Sequence, residues 1–185
     1  MNIRKPTDYT AMFAALDAAV AAQLPQMELY REIGRVVGGR AEKGAAVAAS
    51  EYLQAAYPAA EGFSPRNLRR MRAFYAAYEE SPEIMRLAMN LGWTQNVAIL
   101  EGCGSSEERA WYIRAVLRFG WKKTKLLESI KTQAWLHSSL DEQAVFCYTG
   151  ENEVTRESES DEEDTLCVSW KYLPQPHGRV RDEGL

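Results

Sequence analysis

The sequence predicts a mainly α-helical fold, a compact bundle of about six or seven helices that contains a helix-turn-helix-like unit. Apolar residues recur every three to four positions over most of residues 9–137, as the buried face of a helix requires. Glycine, proline and serine residues separate these periodic segments, as is typical of helix ends. A chain of 185 residues, of which 46% are hydrophobic, is long enough to bury one ordinary core.

The helices follow from local start and stop signals. Ser64-Pro65 is the strongest start, because serine caps free N–H groups and proline lacks the N–H that would be left unpaired at this position. This pair begins a helix over residues 65–78. Three more helices are predicted after Thr7-Asp8, before Gly38-Gly39 and over residues 45–57. A helical segment over residues 83–91 is followed by an apolar pattern at Val97, Ile99 and Leu100, which Gly102 breaks. The last two predicted helices run from the cap Ser106 to Gly120 and follow Trp121.

The composition changes after His137 and predicts two regions, a helical domain at residues 1–137 and an acidic tail at residues 138–185. Residues 1–140 carry 18 Lys and Arg against 14 Asp and Glu, whereas residues 141–185 carry 4 against 12. An acidic run lies between two β-prone segments of the tail, 144–149 and 166–172. We expect this tail to be partly disordered or to form a small hairpin.

Sequence motifs for hydrolysis, phosphate binding and metalloprotease chemistry do not occur in this chain. Its three cysteines are far apart, and two histidines are too few to complete a clear zinc site with them. No segment approaches the about 20 apolar residues of a membrane span. We therefore expect a cytoplasmic, non-enzymatic protein with no cofactor, no metal, no small-molecule ligand and no membrane partner.

The main candidate binding surface lies on the helix at residues 65–78. Arg66, Arg69 and Arg70 fall within about one turn of each other, with Arg72 beside them. Positive charge near a helix N-terminus opposes the helix dipole, so the cluster indicates another purpose. Guanidinium groups bind phosphates and read guanine edges in the DNA major groove, which predicts a nucleic-acid contact.

The neighbouring residues support this interpretation, but an alternative remains open. The helix at residues 45–57 and the turn at residues 59–63 would complete a helix-turn-helix with the arginine helix. The alternative is an ordinary solvated face whose arginines pair with Glu61 or Glu79. Asn67 could bind an adenine edge, although an amide at this position also suits a helix cap.

A second basic group, Lys122, Lys123 and Lys125, lies next to Trp121 at the start of a helix. Lysines beside an aromatic residue suit contacts to a nucleic-acid backbone. The alternative is a solvated helix start next to a buried indole.

Four blocks of the sequence, in order, resemble a known family: LYREIG at 29–34, GFSPRNLRRMR at 62–72, EERAWYI at 107–113 and GW at 120–121. They are similar to the helical N-terminal domain of the YhcG-type PD-(D/E)XK nuclease-like proteins, a bacterial domain-of-unknown-function family with the number one thousand and sixteen. The resemblance covers residues 23–132. It implies a helix-turn-helix or winged-helix DNA-binding unit, followed in typical members by a nuclease-like domain.

The catalytic half of that family is expected to be missing here, because residues 138–185 are too few for a complete nuclease core. Such a core binds a divalent metal through an aspartate and a Glu-x-Lys strand. Lys171 follows a suitable β-prone segment, but Ser169 occupies the position of the carboxylate.

The sequence therefore predicts a DNA-binding module of a bacterial or mobile-element protein, with double-stranded DNA as the partner. The first alternative is a homodimerisation or protein-interaction module that regulates a nuclease or a mobile-element system. The second is part of a metal-dependent nuclease, which depends on the family resemblance alone. For the acidic run at residues 151–164, a solubilising linker and a segment that competes with DNA for the arginine helix both remain open.

Overall fold

The computed structural model describes residues 7–42 and 44–137, and these residues form a mainly α-helical fold. The tail at residues 138–185, with its predicted hairpin, acidic run and nuclease-like strand, lies outside the described residues. The helices of the described part are α1 Thr10–Ala21, α2 Gln26–Gly38, α3 Ala45–Ala56, α4 Pro65–Tyr78, α5 Pro82–Ala88, α6 Trp93–Gly102, α7 Ser106–Phe119, α8 Lys123–Lys131 and α9 Ala134–His137.

The mainly α fold class is confirmed, and the described residues contain more helices than the six or seven predicted. Two of them are short: α5 has 7 residues and α9 has 4. One predicted cap is off by one residue, because Ser105 and not Ser106 precedes α7, and the Ser105 hydroxyl accepts the Glu108 N–H at 3.1 Å. None of the described helices is long and apolar enough to cross a membrane.

Helix α4 is the central element of the described part. Its first half contributes Leu68 and Met71 to a core formed with α1, α2 and α3. Its second half contributes Phe74 and Tyr78 to a second core formed with α5, α6, α7 and α8. The Trp93 side chain packs against both cores. Because one face of α4 is buried in this way along its length, the residues on the opposite face, such as Arg66 and Arg69, are exposed.

Helices α2 and α4 approach each other closely at Gly34. A β-carbon at Gly34 would lie 2.2 Å from the Met71 carbonyl oxygen, a distance that no real side chain adopts. Glycine costs about 1 kcal/mol relative to alanine inside a helix, so its presence at this position needs a packing reason. The backbone contact with α4 supplies that reason.

Replacing Gly34 with alanine is therefore expected to lower the free energy of unfolding by about 1–3 kcal/mol, because the added methyl group collides with backbone that cannot rotate away. Gly38→Ala is the matched control on the same helix, since a β-carbon there would meet only side-chain atoms at 3.9 and 4.0 Å. This control should be unchanged or up to about 1 kcal/mol more stable. Chemical denaturation measures both, and equal stabilities of the two variants would contradict the close crossing.

The stability of the fold is also expected to decrease at alkaline pH. Burial raises the pKa of Tyr57, Tyr112 and Cys103 to about 12, from ordinary values of 10.0 for tyrosine and 9.0 for cysteine. These groups lose their protons more easily in the unfolded chain, so their contribution is present below pH 9 and is lost as the pH rises towards 12. Urea unfolding at a series of pH values should show this decrease, and Tyr57→Phe should make it shallower. A free energy of unfolding that rises over this range would contradict the assignment.

Candidate nucleic-acid interface

The residues before α4 fix where the arginine helix begins. Gly62 has a φ of +88°, and a β-carbon there would lie 2.5 Å from the Tyr30 hydroxyl oxygen. The next residue, Phe63, is buried, and its carbonyl accepts the Ser50 hydroxyl at 2.6 Å. The Ser64 hydroxyl then accepts the Asn67 N–H at 3.3 Å and caps the helix, as the sequence predicts. The first residues of the sequence block at 62–72 therefore anchor the start of α4.

Asn67 differs from the other predicted contact residues, because its side chain lies inside the protein and is 7% exposed. Its amide nitrogen donates to the Gly62 carbonyl at 2.7 Å, and its amide oxygen accepts the Trp93 indole N–H at 2.8 Å. An amide whose two ends are both bound inside the fold is not available to an adenine edge. We therefore leave Asn67 out of the candidate interface and assign it to positioning α4 against α6.

Three of the predicted arginines lie together on the outer side of α4. Arg66 and Arg69 are exposed, and neither has an ion-pair partner among the described residues. The Arg70 guanidinium is held by Glu101 of α6, with its Nε and Nη2 atoms 2.8 and 2.7 Å from Glu101 Oε1. Among the described residues, the arginine cluster forms its ion pair with Glu101 and not with the predicted partners Glu61 and Glu79.

Arg72 is separated from these three arginines. It is half-buried on the flank of α4 that faces α2, where a β-carbon at Gly38 would lie 4.0 Å from its Cγ atom. With about 100° of rotation per helical residue, position 72 lies about 120° and 160° from positions 66 and 70 and about 60° from position 69, on the side towards α2. The candidate interface therefore contains Arg66, Arg69 and Arg70 and excludes Arg72.

The three predicted lysines lie on the surface at the start of α8. Lys122 is the N-cap residue, Lys123 is the first helical residue, and both are exposed. Lys125 is also exposed, but its Nζ atom pairs with Glu128 at 3.1 Å. The preceding Trp121 is 6% exposed, so the lysines lie beside a buried indole.

Hydrogen bonds bring the starts of three helices near one another. The Trp93 indole at the start of α6 binds Asn67 in the first turn of α4. Two residues later, the Gln95 amide donates to the Trp121 carbonyl at 2.7 Å, directly before Lys122. The first turn of α4 and the residue before Lys122 therefore both lie next to the N-terminal end of α6, whereas Arg70 reaches Glu101 near its C-terminal end.

The electrostatics of this region favour anions. The first turns of α4, α6 and α8 contain no acidic residue, whereas α7 has Glu107 and Glu108 in the same place. Each helix N-terminus carries a partial positive charge from its unpaired N–H groups. Arginine and lysine side chains at two of these ends add to that positive potential.

The helix-turn-helix unit of the sequence interpretation stays a prediction. The connection from α3 to α4 spans residues 57–64, which is longer than the three or four residues of a typical helix-turn-helix, so that unit is not established. Elsewhere, Arg35 donates hydrogen bonds to the Glu32 carboxylate at 2.5 to 3.0 Å and thereby lowers the pKa of Glu32. Across residues 7–42 and 44–137, no group of three or more metal-ligating side chains lies together.

A family model described as the DUF1016 N-terminal domain matches residues 13–137, which is more than half of the chain. The chain belongs to the DUF1016 N-terminal domain family. This match confirms the domain-of-unknown-function family predicted from the four sequence blocks and includes all eight predicted contact residues, while the link to PD-(D/E)XK nuclease-like proteins stays a prediction. No curated protein and no solved structure matches the chain.

The different roles of two neighbouring residues in this DUF1016 N-terminal domain can be tested by stability. Asn67→Ala should lower the free energy of unfolding by roughly 1–3 kcal/mol, because it leaves the Trp93 N–H and the Gly62 carbonyl without their partner. Arg66→Ala, the matched control, should stay within about 0.5 kcal/mol of the parent, since its side chain is exposed and unpaired. Similar values for the two variants would contradict the positioning role of Asn67.

Proposed function

We propose that this domain is a non-catalytic DNA-binding module and that the exposed outer side of α4 contacts the nucleic acid. The observation that carries the proposal is the pair Arg66 and Arg69, exposed and without ion-pair partners among the described residues. Guanidinium groups in this state can bind phosphate oxygens without first breaking a contact within the protein. Double-stranded DNA is the expected partner.

The lysines at the start of α8 support the proposal as secondary contacts. Lys122 and Lys123 are exposed, and hydrogen bonds through Gln95 tie this helix start to α6, which also contacts α4. A duplex lying on the arginines would extend well beyond the length of α4, so additional cationic groups nearby are favourable for phosphate contacts. Lys125 contributes less in this proposal because it is paired with Glu128.

A wider biological role follows from the family resemblance. The PD-(D/E)XK nuclease-like proteins that this sequence resembles combine a helical domain with a nuclease-like domain. We propose that the present domain serves a nuclease or a mobile-element system by binding the DNA on which that system acts. Its own contribution in this scheme is recognition.

A protein-interaction module is the second candidate, and one observation favours it. Leu117, Leu127 and Leu136, from α7, α8 and α9, are 40, 45 and 55% exposed. Exposed large apolar side chains often lie in contacts with another copy or another protein. Sedimentation at several protein concentrations tests this candidate independently of DNA.

The DNA proposal predicts that Arg66→Ala/Arg69→Ala weakens duplex binding by roughly tenfold or more, since one well-formed arginine contact contributes about 1–3 kcal/mol. The loss of two phosphate contacts should also reduce the slope of log affinity against log salt concentration by about 2. Fluorescence anisotropy with labelled duplex at several salt concentrations measures both quantities.

Arg31→Ala/Arg86→Ala is the charge-matched control for this experiment. Both residues are exposed, and they line a different groove, between α2 and α5. The control should bind DNA nearly as well as the parent protein. An equal loss of affinity in the two double variants would mean that only the total charge matters, and absence of duplex binding by the parent would refute the proposal.

A further inference from the structure

The outer faces of α4 and α6 enclose a shallow groove of about 260 Å³, here called the α4–α6 groove. Part of its lining is apolar and consists of Ala73, Val97 and Leu100. The rest is charged and consists of Arg66, Arg69, Arg70 and Glu101. An apolar wall contributes nothing to the binding of a phosphate chain alone. This lining therefore suits a ligand that has both an apolar surface and negative charge beside it.

The ion pair between Arg70 and Glu101 gives the groove a fixed polar edge. Two nitrogen atoms of one guanidinium bind the same carboxylate oxygen, which limits how the guanidinium plane can turn. The Glu101 side chain is 53% exposed, so its carboxylate can still accept further hydrogen bonds. The groove thus combines a planar cation, an apolar wall and an acceptor.

A nucleobase matches these three features. Its flat face packs on apolar side chains and on guanidinium planes, and the amino groups of cytosine, adenine and guanine donate to a carboxylate. The groove volume is below the roughly 300–1,000 Å³ of sites for drug-sized ligands, which suits one ring system. A base within a duplex has both faces stacked and its pairing edge occupied, so only an unpaired base can enter.

We propose that the α4–α6 groove binds one unpaired base of a single-stranded or bulged nucleic acid, a step that rests on the nucleic-acid binding proposed above. Arg66 and Arg69 then bind the phosphates on either side of that base. Arg70, held by Glu101, lies along the base in the groove. The domain accordingly prefers nucleic acid that contains an unpaired position.

The test compares labelled ligands of equal length by fluorescence anisotropy: a fully paired duplex, the same duplex with one bulged base, and a single strand. A labelled acidic peptide that contains leucine is the fourth ligand, because it also combines negative charge with apolar surface. The bulged duplex and the single strand should bind roughly fivefold or more tightly than the paired duplex, which is the lower end of the effect of one stacked base.

Ala73→Leu supplies the decisive variant, because it fills the groove without changing any charge. Ala73 is exposed, so the added side chain leaves both cores unaltered. This variant should keep its affinity for paired duplex and lose its preference for the bulged duplex. Ala76→Leu, at another exposed alanine of α4 outside the groove, is the matched control and should keep the preference.

The outcomes separate this inference from the proposed function. Equal affinity of the parent protein for paired and unpaired ligands, or a preference that persists in Ala73→Leu, overturns the base-binding groove while DNA binding itself stands. Failure to bind any nucleic acid overturns both. If the acidic peptide alone binds and Ala73→Leu abolishes this binding, the groove is a protein-binding site and both proposals are wrong.

Discussion

The close approach of α2 and α4 at Gly34 is the constraint on which the rest of the structure depends. Because the Met71 carbonyl occupies the space of a side chain at position 34, the two helices can pack only with this face of α4 turned inward. The inward face carries Leu68, Met71 and Phe74, so the helical period directs Arg66 and Arg69 to the opposite side. The orientation of the candidate interface is therefore a consequence of backbone packing in the core.

A second constraint is the satisfaction of buried polar groups around Asn67. Unpaired buried groups are costly, and here one amide serves both the turn before α4 and the indole at the start of α6. The Gln95 amide also donates to the carbonyl of Trp121, which precedes the N-cap residue of α8. Three helix starts are positioned by these few side-chain hydrogen bonds. The arrangement that favours anions thus arises from interactions that stabilise the fold.

The sequence predicted well the features that depend on local chemistry. Ser64-Pro65 and Gly120 mark helix ends because capping involves neighbouring residues only, while Ser105 and Ser106 are chemically equivalent and gave an error of one position. The Arg70–Glu101 pair joins residues 31 positions apart, and no spacing rule predicts it. The buried partners of Asn67 are also invisible in the sequence, because an amide in a basic segment looks the same whether its partner is a nucleobase or a buried indole.

The positions of the basic residues at helix starts are more informative about function than the number of basic residues. A cation at a helix N-terminus opposes the helix dipole, and here Arg66, Lys122 and Lys123 are all found in the first turn or cap of a helix. The same fold uses acidic residues where the dipole favours them, as at the start of α7. The helix dipole therefore does not account for the cations at α4 and α8. A bound anion would offset the unfavourable charge at both helix starts, which a solvated face would not.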